Sequence, residues 1–441
     1  MARAKKEAAL TPEERLQAAL VPDWEWPYKL PENWCWLKLV EAFDNHTDSK
    51  KKIKQKDYLV KGKLAVVDQG QELIGGYTND VEKSYSGALP IVIFGDHTRC
   101  IKFVDFPFAQ GADGVKVLRP KPFYLPKAFY YALQSVNIPN LGYRRHFPLF
   151  NKFSIPLPPF AEQQRIVDRI ESLFAKLDEA REKAQAVVDS FETRKAAILH
   201  RAFTGELTAK WREEHGVRME SWEQCSLSDV CTVNPKKADT KDLPDELEVS
   251  FFPMPALSEI YGEITDPQTR LLKEVRSGFT NFSEGDVVFA KITPCMENGK
   301  SAVVGKLVND IGYGTTEFFV LRCSDRLYNR FLYHLVRDKL FRDKAKAVMA
   351  GAVGQQRVPK RYLETYKLNL PKFNEQREIV RILDGSFAKE QQTKEAAEAV
   401  LDQIDLMKKS ILARAFRGEL GTNDPSEESA VELLKEIIRR G

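Results

Sequence analysis

Leu157-Pro158-Pro159-Phe160-Ala161-Glu162-Gln163-Gln164 recurs further along the chain as Leu370-Pro371-Lys372-Phe373-Asn374-Glu375-Gln376-Arg377. Pro371 lies 213 positions after Pro158. The same shift carries Ile166-Val167 onto Ile379-Val380 and Phe174-Ala175-Lys176 onto Phe387-Ala388-Lys389. It also carries Arg201-Ala202-Phe203-Thr204-Gly205-Glu206-Leu207 onto Arg414-Ala415-Phe416-Arg417-Gly418-Glu419-Leu420. No gap intervenes, so two helices of one length are implied. Proline is excluded from helix interiors, which places the starts at Pro158-Pro159 and Pro371. Glycine is favoured just past a helix end, which places the stops at Gly205 and Gly418. From Phe160 to Arg201 is 42 residues, about 63 Å of helix at 1.5 Å per residue.

Inside the first copy, apolar residues step by four and three: Ile166, Ile170, Leu173, Leu177, Ala180, Ala184, Val187, Phe191, then Arg194 as the exception, then Ile198. The second copy holds Ile379, Leu383, Ser386, Glu390, Thr393, Ala397, Val400, Ile404, Met407 and Ile411 at the matching positions. A 3.5-residue period marks a coiled-coil seam. A seam needs a partner, and the nearest is the other helix. The alternative is two unrelated amphipathic helices, each packed on its own domain. If the pair is antiparallel, the two halves of the chain are related by a pseudo-twofold axis, which suits duplex DNA.

Working outward, the segments before each helix repeat more loosely. Trp34 to Leu39 is similar to Trp222 to Leu227, and Gly111 to Arg119 to Gly314 to Arg322, at offsets other than 213. Leu89 to Phe94, Asp286 to Ala290 and Phe318 to Leu321 are short apolar runs that read as buried strands. Ala128 to Leu133 and Tyr328 to Lys346 read as helices. The fold class is α+β: two α/β domains, 25–157 and 208–370, separated by spacer helices 158–207 and 371–420 that form an antiparallel coiled coil. An N-terminal extension (1–24) and a C-terminal tail with a short helix (421–441) flank them.

With 43% hydrophobic and 29% charged residues the chain reads as globular rather than disordered. Its 67 basic and 63 acidic residues leave a net charge of +4. That excludes a histone-like wrapper but permits local basic faces. No leader peptide or membrane span is evident, and six scattered cysteines without a C-x-x-C fit reduced thiols in the cytoplasm. No structural metal is expected. No glycine-rich cofactor turn or second Pro follows Asn234-Pro235, and Pro294 spoils the phosphate loop that Asn298-Gly299-Lys300-Ser301 suggests. No catalytic residue is therefore assigned.

What remains suits binding. Lys50, Lys51, Lys52 and Lys54 form a basic run in the first domain; Arg342 and Lys344 belong to one in the second. Such residues hold phosphates without reading sequence. Gly142-Tyr143-Arg144-Arg145-His146 and Gly354-Gln355-Gln356-Arg357 precede the two helices, and the shift of 213 sets Arg144 on Arg357. Arg pairs bidentately with guanine and Gln with adenine, so Arg144, Arg145, Gln355, Gln356 and Arg357 are candidate base readers. The alternative is that they tie the domain to the helix base or lie in solvent.

Residues 156–167, with the long helix that ends at 201–207, resemble the spacer helix of the specificity subunits of Type I restriction-modification systems. Phe289 to Lys300, Gly351 to Pro359 and Ile93 to Arg99 resemble target-recognition segments of that family, which adds Arg99, Lys291 and Lys300 as phosphate candidates. The resemblance covers residues 25 to 420. It implies a non-catalytic subunit that reads a bipartite, asymmetric duplex DNA target. It implies two methyltransferase subunits and motor-nuclease subunits as partners, with S-adenosylmethionine, ATP and Mg²⁺ bound to them and not to this chain. A free-standing DNA-binding regulator and a coiled-coil adaptor that binds no DNA are the rival readings.

Overall fold

The structure, a computed structural model, describes residues 11–259, 262–352 and 354–440. The chain divides into two units: Met1–Ala184 with Ala399–Gly441, and Gln185–Glu398. Each unit therefore takes the start of one long helix and the end of the other. Among the described residues no helix is long and apolar enough to cross a membrane.

In unit 1, Cys35–Lys38 pairs antiparallel with Ser154–Leu157, tying the two ends of the domain together at the base of the helix. Phe43–Asn45, Val115–Pro120, Ile91–Gly95 and Ile101–Val104 form a four-stranded sheet in that order. A smaller sheet holds Gly76–Thr78, Leu64–Val67 and Phe108–Gln110, the last two parallel. Pro126–Ser135 is a helix that starts on its proline, where a missing N–H costs nothing. Unit 2 repeats the plan. Glu223–Ser226 pairs with Lys367–Leu370, and Cys231–Val233, Phe318–Cys323, Val287–Ala290 and Ser301–Val303 form the four-stranded sheet. The second sheet gains a strand, Thr280–Phe282, beside Gly312–Gly314. The stretch expected as one helix from Tyr328 to Lys346 is two, Asn329–Arg337 and Lys339–Ala347. Asp338 separates them, its side chain accepting from the Phe341 N–H to cap the second.

The second long helix, Phe373–Ala415, runs unbroken. The first does not, contrary to the expectation of equal helices. It runs Phe160–Asp189, pauses at Ser190, and resumes as Phe191–Phe203. The Ser190 hydroxyl donates back to the Ala186 carbonyl, and Arg194 Nη1 donates to the Val187 carbonyl at 3.1 Å, bonds that compete with the helical ladder. Both predicted glycine stops have positive φ, 82° at Gly205 and 76° at Gly418.

Within each unit the helices run antiparallel. In unit 1 Lys408 meets Asp178 at 2.5 Å, and Arg181 pairs with Asp405. Arg194 meets Glu390 at 2.7 Å in unit 2. Ile166, Ile170, Phe191, Ile379, Leu383 and Ile404 are buried, as the seam requires, while Leu173, Leu177, Val187 and Ile411 are half-buried. Val400 corrects the pattern: it is 41% exposed, and Leu401 beside it is the half-buried residue. Ala397 and Ile404, seven residues apart, stay buried, so between them the seam steps by four and then three through Leu401 rather than by three and then four through Val400. Each domain core then continues onto the helices. Ile166, Val167 and Ile170 join Phe129, Leu412 and Phe416, and Ile379, Val380 and Leu383 join Leu199, Phe331 and Leu335.

Candidate nucleic-acid interface

The recurrent Glu-Gln dipeptide fixes each domain on its helix. Gln163 is fully buried. Its Oε1 accepts from the Leu125 N–H at 2.7 Å, and its Nε2 donates to the carbonyls of Phe123 and Pro158. Gln376 does the same with the Tyr328 N–H and the carbonyls of Arg326 and Pro371. The neighbouring glutamates reach two ways. Glu162 accepts from Trp34 Nε1 at 2.8 Å and from the Thr422 hydroxyl at 3.1 Å. Glu375 accepts from Trp222 Nε1 at 3.0 Å and from the Thr208 hydroxyl at 2.8 Å. A buried polar side chain with every group partnered acts as a stiff joint. Sequence reasoning found the motif but gave these four residues no part, because their partners lie far along the chain.

On this base, unit 1 presents one exposed loop. The strand Ile91–Gly95 ends at Asp96, which is 2% exposed. Its Oδ1 accepts from the N–H groups of His146 (2.9 Å) and Phe147 (2.8 Å). The Leu141 N–H donates to His146 Nε2, so Nδ1 carries the proton and donates to the Asp96 carbonyl at 2.9 Å. The segment 141–147 is thus pinned to Asp96 at its 146–147 end and closed on itself where Leu141 meets His146. His97 stacks on Tyr143, ring centroids 4.8 Å apart and 15° from parallel. Tyr143 is 85% exposed, and Arg144 and Arg145 are exposed with no hydrogen bond or ion pair among the described residues. An aromatic face beside two uncommitted guanidinium groups can meet base edges, phosphates or both.

Unit 2 builds the counterpart from Phe289 to Lys300 and Gly351 to Pro359. Arg357 bridges to Ala350 and Ile292, and the Thr293 N–H donates to the Gln356 carbonyl at 3.0 Å. Gln355 is exposed and Gln356 half-buried. Arg357 differs from Arg144 in being committed. Glu317 accepts from its Nε at 3.0 Å and from its Nη2 at 2.9 Å, and this fork holds the Glu317 carboxyl below its ordinary range.

The phosphate candidates separate. Lys50, Lys54 and Lys344 are exposed, and their side chains enter no ion pair among the described residues. Lys52 is half-buried, and Lys51 donates to the Ser84 carbonyl at 3.2 Å. Arg99, at φ 62°, donates to the Ile138 carbonyl and braces the base of the 142–145 loop. Lys291 lies 5.6 Å over the Phe319 ring, and Lys300 lies 3.7 Å from Glu259. Arg342 donates to the carbonyls of Arg337 and Glu297, which makes it a brace between helix and loop.

Comparison with known proteins agrees with this arrangement. Residues 31–187 and 219–400 match the family model described as the Type I restriction modification DNA specificity domain. The chain is 32% identical over 260 residues to the Type I restriction enzyme EcoEI specificity subunit of Escherichia coli, covering 49% of this chain and 43% of that one. It is 32% identical over 262 residues to the EcoAI specificity subunit of the same species, covering 50% and 44%. The chain thus spans under half the length of these two relatives. The crystal structure of the HsdS subunit from Thermoanaerobacter tengcongensis is similar in fold, with a TM-score of 0.55 at 19% identity, covering 90% of this chain and 100% of that one. So is a chain from work on complex assembly and conformational transition of the type I R-M system, with a TM-score of 0.61 at 19% identity and coverage of 89% and 100%. Two domains on one plan, each latched to a long helix by the same Glu-Gln pair and each matched by the same model, show that this chain belongs to the Type I restriction modification DNA specificity family.

Proposed function

We propose that this chain reads a bipartite, asymmetric duplex DNA target and positions partner subunits on it. Each unit reads one half-site, and the helix pair sets the distance between them. The partners are two adenine methyltransferase subunits and, in a restricting complex, motor-nuclease subunits. S-adenosylmethionine, ATP and Mg²⁺ belong to those partners, and this chain supplies no catalytic group. One observation carries the reading. In each unit a segment that resembles a target-recognition segment, 93–99 in one and 289–300 in the other, is joined to the segment just before the long helix, with Arg144 and Arg357 at matching positions of the repeat.

The test is to co-express the chain with an adenine methyltransferase subunit and sequence the methylated sites. A two-part motif is expected. Replacing residues 222–370 with the same domain of a relative should change one half of it. A complex that methylates no defined motif would overturn the reading, and a change in both halves would show that the units do not read separately. The chain alone should turn over neither S-adenosylmethionine nor ATP.

A further inference from the structure

Leu64–Val67 in unit 1 and Glu248–Phe252 in unit 2 hold one place in the plan, each pairing antiparallel with the next strand and parallel with a later one. The segments that lead into them carry opposite charge. Residues 50–63 hold seven lysines against one acid, Asp57. Residues 236–247 hold Lys236, Lys237 and Lys241 against Asp239, Asp242, Asp245 and Glu246. A difference at one place in two copies of a fold is not a requirement of the fold.

The basic segment is also built, not loose. Leu59 and Tyr77 exchange two backbone hydrogen bonds, at 2.8 and 2.9 Å. A Cβ on Gly62 would come within 2.9 Å of the Thr78 carbonyl oxygen, so the turn lies flat on the neighbouring strand. Tyr58 closes over Gly76 and Gly111 from behind. Lys54, Lys56, Lys61 and Lys63 are exposed, and none enters an ion pair among the described residues. Asp57 is the acid within the segment, and Asp80 follows Asn79, whose Oδ1 accepts from the Lys63 N–H. Val60, between the lysines, is 90% exposed. A single exposed apolar residue is ordinary; one in a turn held against the neighbouring strand, with exposed lysines that enter no ion pair on both sides of it along the chain, suits a DNA groove and its flanking phosphates. The strand Leu64–Val67 separates this tip from Gln69, whose Oε1 accepts from the His97 N–H beneath the 142–145 loop.

We propose that residues 54–63 form a second duplex DNA contact of unit 1, apart from the 142–145 loop and without a counterpart in unit 2. Lys54, Lys56, Lys61 and Lys63 lie against phosphates and Val60 against the groove between them, so the footprint extends further over the half-site that unit 1 reads. This inference rests on the DNA-reading function proposed above. Its test uses the full chain in complex with its methyltransferase partner and a duplex carrying the methylated motif found by sequencing. Affinity is measured against salt concentration, where each phosphate contact adds about 0.9 to the slope. Changing Lys54, Lys56, Lys61 and Lys63 together to Gln should lower the slope by about 2 to 4 and leave the motif unchanged. Val60→Asp should weaken binding at every salt concentration, and Lys61→Gln alone should lower the slope by about one contact. Changing Asp242, Asp245 and Glu246 to their amides should leave the slope as it is. An unaltered slope in a folded fourfold variant overturns this inference alone, since the parent complex still binds its motif. A parent complex without salt-dependent binding overturns the DNA-reading function and this contact together.

Discussion

Glu162 and Glu375 hold one position in the repeat yet meet different company. Both accept from a tryptophan and a threonine, but Glu375 also meets Arg212, whose Nη1 lies 2.7 Å from Oε1. Glu162 has no such cation in contact, and burial, the largest influence on it, raises its carboxyl above the ordinary value of 4.5. The two amide substitutions should therefore differ. Glu375→Gln turns an N–H toward a buried guanidinium and should cost about 3 kcal/mol, the scale of breaking a buried pair. Glu162→Gln keeps an oxygen for Trp34 and a donor for Thr422, and should cost under about 1 kcal/mol. The pH dependence follows from the raised pKa. A carboxyl that is harder to ionise in the fold contributes stability that is full below 4.5 and declines as pH rises through its raised value. Thermal unfolding of unit 1 between pH 4 and 7 should lose that part of its slope in Glu162→Gln; an identical slope in both proteins would refute it. At the reading loops, Arg144→Ala should cost about 1–3 kcal/mol of discrimination in the first half-site. Arg357 is held by Glu317, so Arg357→Ala should cost less and Glu317→Gln should strengthen DNA binding. Uniform weakening across sequences by Arg144→Ala would assign that residue to phosphate instead. The Glu-Gln motif stood out in the sequence because it recurs. Its task did not, because Trp34 and Thr422 lie 128 and 260 positions from Glu162.

At the scale of elements, the helices were the legible part and the strands the obscure one. Forty residues at a 3.5 period, bounded by Pro and Gly, leave few alternatives. The strands run three to six residues, too short for a period, and the parallel contacts that join Leu64–Val67 to Phe108–Gln110 have no local signature. Sequence also marked Arg194 as the exception in one seam and set Glu390 among the polar residues, with Ser386 and Thr393, at seam positions of the other. The structure makes one feature of Arg194 and Glu390, since Arg194 Nε donates to Glu390 Oε2 at 2.7 Å. With 32% and 22% of these side chains exposed, the pair sits between surface and core. A polar pair in a coiled-coil seam is worth little in stability once its desolvation is counted, and its best-attested use is to favour one register. Glu390→Leu alone leaves a half-buried cation and should cost about 1–3 kcal/mol. Arg194→Leu with Glu390→Leu should recover most of that loss, since apolar replacement of such a pair is often neutral or stabilising. A double-mutant cycle on unit 2 unfolding measures the coupling, and a double variant as unstable as the sum of the two singles would show that the residues do not act together.

At the scale of the whole molecule, each unit is completed by chain from the far end of the sequence, and this decides what a length change can do. Unit 1 needs 399–441: Leu412, Phe416, Ala430 and Leu434 lie in its core, and Arg165 forks onto Glu427 with two bonds of 2.8 Å. Removing residues 422–441 should therefore lower the unfolding temperature of unit 1 and spare that of unit 2, seen as two separated transitions in calorimetry. The same sharing makes the helix pair a candidate ruler. Phe373–Ala415 begins in unit 2 and ends in unit 1, and the first long helix crosses the division the other way. Ala184 and Ala397 are buried seam residues next to that division, 9% and 8% exposed. Seven residues added after each would keep the seam facing its partner, because the repeat is seven. Adding them to one helix alone would leave it unpaired, so both must lengthen together. Seven residues add about 10 Å. One turn of duplex, about 10 base pairs, spans about 34 Å, so the nonspecific spacer should grow by about three base pairs. Neither half-site should change, because the 142–145 and 354–357 loops and their Glu-Gln latches stay within their own units. Three base pairs also turn the duplex by nearly a third of its circle, so affinity should fall while the longer motif is still selected. Sequencing of methylated DNA from cells that carry the lengthened chain and its partner measures both effects. An active variant that kept the original spacer would show that something other than the helices sets the distance.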